Sequence, residues 1–167
     1  MPTPEFILEL RRHIGNETLW LSGANLVVLR EGDAGPEVLL GRRSDDGNWA
    51  AISGIVEPGE NPADTVVREA LEEVGIKVEV ERMLWLDVMD EVTFPNGDRC
   101  RFLDHGFRGR LVGGRPGIGD GEISDFGWFP VDRLPVPRQE RLAEQVRICL
   151  EDPRDVVLSV LDRKSVV

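Results

Sequence analysis

The stretch "REALEEVG", residues 68–75, sets Arg68 beside Glu69, Glu72 and Glu73 and closes on Gly75. On a helical wheel the three glutamates fall within one arc of roughly 100°. Glu69 and Glu73 stand i,i+4, a like-charge spacing that disfavours a helix, and Arg68 offsets part of that cost by facing Glu72. Divalent cations such as Mg2+ take oxygen ligands, commonly carboxylates completed by water and substrate phosphates. Carboxylates one turn apart, below the glycine-bearing loop "SGIVEPGENP" (residues 53–62), suit such a cation. A solvated acidic face is the alternative, although this helix carries no lysine to balance its acids.

The helix that must position these groups is well marked. Asn61 suits the N-cap, Pro62 the first helical position, Asp64 a capping-box acid, and Gly75 the left-handed C′ position. Ala63, Val66, Val67, Ala70, Leu71 and Val74 recur at helical period. They predict a buried apolar stripe with the carboxylates aimed away from the core.

From Gly54 to Ile76 the chain resembles the Nudix box. That pattern runs Gly, five residues, Glu, seven residues, then Arg-Glu-apolar-any-Glu-Glu-any-Gly-apolar. Gly54, Glu60, Arg68, Glu69, Glu72, Glu73 and Gly75 occupy its fixed positions, with Ala70, Leu71, Val74 and Ile76 between and after them. Trp49 before the box and "FGWFPVDRLP" (126–135) extend the likeness. The resemblance implies an α/β fold, the Nudix α/β/α sandwich with a mixed β-sheet between helices. It also implies cleavage of a nucleoside diphosphate linked to another moiety, with Mg2+ or Mn2+ as cofactor. Carried over residue by residue, it makes Glu72 and Glu73 metal ligands and Glu69 a third ligand or the general base. Arg68 would hold the glutamates in place, Glu60 would bond with it between loop and helix, and a carbonyl at Gly54 would complete the coordination. Many family members read Pro-Gly-Gly where this chain has Ile52-Ser53-Gly54, so a modified loop is expected there.

Other positions are read more openly. A clamp on both reacting oxygens needs an acid from elsewhere, and the loop before the tryptophan strand offers Asp120, Glu122 and Asp125. Glu122 is the expected ligand and Asp120 its main competitor. Arg42 and Arg43 end a strand just before the box loop and are candidate phosphate contacts. Trp49 is a candidate for stacking on a base, or else a packing residue. Trp85 and Trp128 read as core, His13 and His105 as structural or exposed, and Trp20 gives no pattern to read. Strands are expected at 25–29, 37–43, 77–90, 99–111 and 126–131, with a hairpin turn at 94–98 and a flexible glycine-rich loop at 113–122. Helices are expected at 5–13 and 137–150.

A chain of 167 residues with 41% hydrophobic and 31% charged content predicts one domain over 1–167, with 1–21 as an N-terminal extension. A net charge of −11 argues against binding polymeric nucleic acid. It leaves a small nucleotide as partner. The absence of a long apolar run or a signal peptide predicts a cytoplasmic protein without membrane contact. Cys100 and Cys149 read as free thiols. Family members often dimerise, which makes the N-terminal segment a candidate packing element in a homodimer. Sequence tags of ADP-ribose, dinucleoside polyphosphate, NADH and coenzyme A hydrolases are missing, which disfavours those substrates and leaves nucleoside triphosphates and nucleotide sugars. A catalytically silent nucleotide-binding domain is the alternative function. An isoprenoid diphosphate isomerase would want a cysteine early in the chain, and both cysteines follow the box.

Overall fold

The computed structural model describes residues 3–119 and 121–158. In chain order the elements are α1 (Glu5–Ile14), β1 (Leu19–Gly32), β2 (Gly35–Arg43), β3 (Trp49–Ala50), β4 (Ile52–Ile55) and α2 (Pro62–Val74). There follow β5 (Ile76–Val88), β6 (Val92–Thr93), β7 (Arg99–Gly114), β8 (Ile123–Pro130), α3 (Leu142–Glu151) and β9 (Val157–Leu158). The strands form a mixed sheet ordered β3-β2-β1-β7-β5-β9, with β4 added to β1, β6 to β7 and β8 to β2. β1 runs parallel to β7 and antiparallel to β4, so the box loop leaves the sheet at its centre.

Each face of the sheet has its own core. Toward α2, Ala24, Leu26 and Val28 of β1 meet Val66, Ala70 and Val74 of the helix, with Leu39, Ile52, Ile76 and Phe107 around them. Toward α3, Val27, Val38, Leu40, Trp49 and Trp85 meet Leu142, Val146 and Cys149. α1 closes one end through Phe6 and Ile7 against Leu21, Cys100 and Phe102. Alternate residues of one strand therefore feed opposite cores, as the two-residue strand period requires.

A buried polar pin joins the α3 side. Asp104 is 1% exposed. It accepts from Trp85 Nε1 at 2.8 Å and Asn25 Nδ2 at 2.5 Å, with Arg141 Nη1 at 3.6 Å. Trp85 lies flat over Gly106, where a Cβ would fall on the indole ring. Gly106→Ala should therefore overpack this core. The expected cost is about 3 kcal/mol, or a melting temperature lower by about 10 °C, read by thermal unfolding. An unchanged melt would mean that the ring slides aside freely.

Most expected elements are present, but β1 begins at Leu19 rather than 25, and the short strands β3, β4, β6 and β9 were not foreseen. α3 begins at Leu142 rather than 137, because residues 137–139 run alongside Trp49 and exchange backbone bonds with it: Trp49 N to Pro137 O at 3.0 Å, Gln139 N to Trp49 O at 2.9 Å. Near the end of α3, Cys149 is buried and Leu150 is exposed. On α1, Ile7 is buried and Leu10 is exposed. No helix among the described residues is long and apolar enough to cross a membrane.

Candidate active site

α2 starts behind Pro62 and ends in a left-handed Gly75 (φ 68°), as its sequence predicts. Its N-terminus differs in detail: Asn61 makes no side-chain cap, and its amide donates to Asp64 Oδ2 at 2.9 Å. The buried face differs more. Val66, Ala70 and Val74 are fully buried, but Val67 and Leu71 are 40% and 53% exposed. In their place Thr65, Glu69 and Glu73 turn inward. The carboxylates are thus not all aimed away from the core: Glu69 and Glu73 are buried, and Glu72 alone looks to solvent.

Arg68 organises the cluster. Its Nε and Nη2 donate to Glu60 Oε1 and Oε2 at 3.0 and 3.2 Å. Nη1 donates to Glu69 Oε1 at 2.8 Å and Glu72 Oε2 at 3.0 Å, and Nη2 approaches Ile55 O at 3.5 Å. Glu60 is fixed further by Thr65 Oγ1 at 2.8 Å and Glu57 N at 3.2 Å. The Arg68 hydrogen bond outweighs desolvation and holds the Glu60 carboxyl below its ordinary range.

Glu69 is the strained member. Burial pushes its carboxyl up to about 7; Arg68 pulls it down in part, and the charges of Glu122 and Glu72 add to the rise. Its Oε2 is buried with no hydrogen-bond partner among the described residues. Gly54, opposite Ala24 in β4, makes room for it: a Cβ on Gly54 would fall on the Glu69 carboxyl.

The glycine-rich segment expected to be a flexible loop is docked on the end of α2. Arg115 N, Gly117 N and Gly119 N donate to the carbonyls of Gly75, Val74 and Glu73 at 3.1, 3.0 and 2.9 Å. They thereby satisfy groups a helix end leaves bare. Gly119 lies against Glu72 O so closely that a Cβ has no room. Beyond it, Ser44 N donates to Glu122 O at 2.7 Å and Ser44 Oγ to Gly121 O at 2.8 Å. These bonds carry Glu122 into electrostatic reach of Glu69. Asp120 lies outside the described residues, and Asp125 is exposed on β8.

The arginines differ. Arg43 grips Asp45 at 2.9 and 2.5 Å and feels the charge of Glu73. Arg42 is exposed, with Nε on Gly47 O at 3.1 Å. Trp49 is 9% exposed in the α3-side core, edge-on to Phe129 with centroids 4.7 Å apart. That geometry makes it a packing residue rather than a base platform. The sequence signal for it, a lone tryptophan before the box, could not separate the two.

Among the described residues no three His, Cys, Asp or Glu side chains already stand at metal-holding spacing. The donor chemistry still suits a hard cation: carboxylate oxygens only, one of them buried and unpartnered, beside a glycine cradle.

The sequence pattern of the NUDIX domain matches residues 21–150. The NAD-capped RNA hydrolase NudC of Chromobacterium violaceum is 36% identical over 117 residues, which cover 69% of this chain and 40% of that protein. Its counterpart in Pseudomonas aeruginosa PAO1 is 36% identical over 129 residues, 75% of this chain and 42% of that protein. The chain thus spans about two fifths of the length of these relatives. An ADP-ribose pyrophosphatase from Streptococcus suis has the same fold, with a TM-score of 0.64, 24% identity, and coverage of 83% of this chain and 96% of that one. A UDP-X diphosphatase also superposes at 0.64, with 23% identity and coverage of 93% and 74%. The chain belongs to the Nudix family.

Proposed function

We propose that the protein is a divalent-metal-dependent pyrophosphohydrolase that cleaves the diphosphate of a nucleoside diphosphate linked to another moiety. The observation that carries this reading is the unpartnered, buried Glu69 Oε2 within a cluster of Glu72, Glu73 and Glu122. A buried carboxylate oxygen without a donor is costly unless something else binds it. Glu69, Glu72, Glu73 and Glu122, with a backbone oxygen at Gly54, would hold Mg2+ or Mn2+. When bound, such a cation polarises phosphoryl oxygens and acidifies water.

The remaining work falls to the chain's own groups. Arg68 fixes the carboxylates against the loop. Glu69 is the third ligand of the cation or, if it stays off the metal, the general base that takes a proton from water. Arg43, within electrostatic reach of Glu73, and Arg42 beside it at the end of β2 are proposed to meet phosphate oxygens. Trp49 is not carried into the substrate site.

The NudC relatives are named as hydrolases of NAD-capped RNA. Their similarity brings dinucleotide-type diphosphates back beside nucleoside triphosphates and nucleotide sugars, although the NADH-hydrolase tag is missing. A net charge of −11 disfavours a long RNA chain as the bound partner. A screen of these three substrate classes with Mg2+ or Mn2+ tests the reading. Turnover is expected in at least one class and should vanish on chelation. Equal turnover after exhaustive chelation would exclude the metal-dependent route. Nucleotide binding without turnover anywhere would identify a silent binding domain.

A further inference from the structure

Among the described residues, the sheet face that carries α2 is covered at one end and open at the other. On β1, Leu19 and Leu21 pack toward α1 with Cys100 and Phe102 of β7. Residues two apart share a face, so Trp20 and Ser22 look the other way. Trp20 pairs with Arg101, Ser22 with Leu103 and Ala24 with His105. The Ser22 hydroxyl lies 3.4 Å from His105 Nδ1, which confirms that the two share this face. Farther along, Ala24, Leu26 and Phe107 lie under α2. Before them no described residue covers the floor: Trp20 is 58% exposed and Val88, opposite Leu103, is 42% exposed.

Two features of this floor point to a ligand. Arg101 is exposed and makes no hydrogen bond or ion pair among the described residues. Its strand neighbours Arg99, Arg108 and Arg110 are all paired, with Glu17, Glu81 and Glu79. Glu91, just before β6, accepts from Thr18 Oγ1 at 2.7 Å. Beside the free guanidinium lies the bare indole of Trp20. An aromatic face next to an unpaired arginine matches a nucleobase, which stacks on one and offers acceptor atoms to the other.

The floor also adjoins the carboxylates. Val56 N donates to Ser22 O at 2.9 Å, and Gly23 pairs with Ile55, whose carbonyl faces Arg68. Trp20 lies three residues beyond Gly23, roughly 10 Å along a strand, comparable with the reach from a diphosphate through its ribose to the base. We propose that Trp20 and Arg101 form the nucleobase subsite: Trp20 stacks the base and Arg101 donates to its acceptor edge. The proposal rests on the hydrolase reading for its placement. A second copy of the chain is the less favoured occupant, because two chains of charge −11 repel.

AMP and ribose 5-phosphate differ only in the base, and AMP has no anhydride to cleave. Their binding to wild type, Trp20→Ala and Arg101→Gln can be measured by calorimetry, with KM and kcat on the best substrate from the screen. Each variant is expected to weaken AMP about tenfold, leave ribose 5-phosphate unchanged, raise KM more than it lowers kcat, and melt like wild type. Equal AMP affinity in all three proteins would overturn the proposal. So would an equal loss for both ligands, or a fall in mass by sedimentation with AMP affinity intact, which would assign the floor to a second copy. AMP binding lost in the variants while wild type turns over nothing would keep the subsite and remove the hydrolase reading. Turnover with indistinguishable variants would do the reverse.

Discussion

Glutamine in place of Glu69 is expected to lower kcat at least about a hundredfold and yet raise the melting temperature of the metal-free protein at pH 8. The two effects have one origin. Burial holds the Glu69 carboxyl at about 7, against an ordinary 4.5. An acid whose folded pKa lies above its unfolded one binds its proton more tightly when folded. Its contribution to stability is therefore complete below about 4.5 and is lost as pH rises toward about 7. Above that, the folded protein carries a buried charge of which one oxygen has no donor. Glutamine keeps an acceptor for Arg68 Nη1 and removes the charge. Melting curves from pH 5 to 8 should fall for wild type across this window and run flatter for Glu69→Gln. Near-native turnover, or a variant that melts earlier at pH 8, would contradict the assignment.

Arg68→Met should be the most destabilising change in the site. It removes the donor shared by Glu60, Glu69 and Glu72. Breaking a buried ion pair on one side leaves the other charge uncompensated, at about 3–5 kcal/mol. The Arg68 side chain is 26% exposed, so solvent screens part of this. The low end, about 3 kcal/mol, corresponds to about 6–12 °C in a chain of this size. Adding Glu69→Gln to Arg68→Met should recover part of the loss, since the charge left stranded is then gone. Strict additivity of the two changes would mean that the pair is not coupled. Arg68→Lys should fall between, because a point charge cannot replace a fork that reaches three carboxylates.

Local sequence settled much of this architecture. Pro62 and Gly75 bound α2 because one presets a helical φ and the other accepts a left-handed one. The turn at residues 94–98 joins β6 to β7 because Asn96 and Gly97 close it with bonds of their own. The crowding of Glu69, Glu72 and Glu73 around Arg68 was likewise visible, since spacing alone fixes which residues of a helix are neighbours. Periodicity does not say which edge of an amphipathic arc a distant sheet will cover. Val67 and Leu71 were as apolar as Val66 and Ala70, yet they stay in solvent. The box loop and the glycine segment docked on the end of α2 close over the other edge, where Glu69 and Glu73 are buried. Trp49 and Trp20 make the same point in opposite senses. Identical side chains on strands become core or open floor according to which helix, α3 or none among the described residues, lies over their face. That choice belongs to chain segments far away in sequence, because burial is a property of what packs against a residue and not of the residue itself.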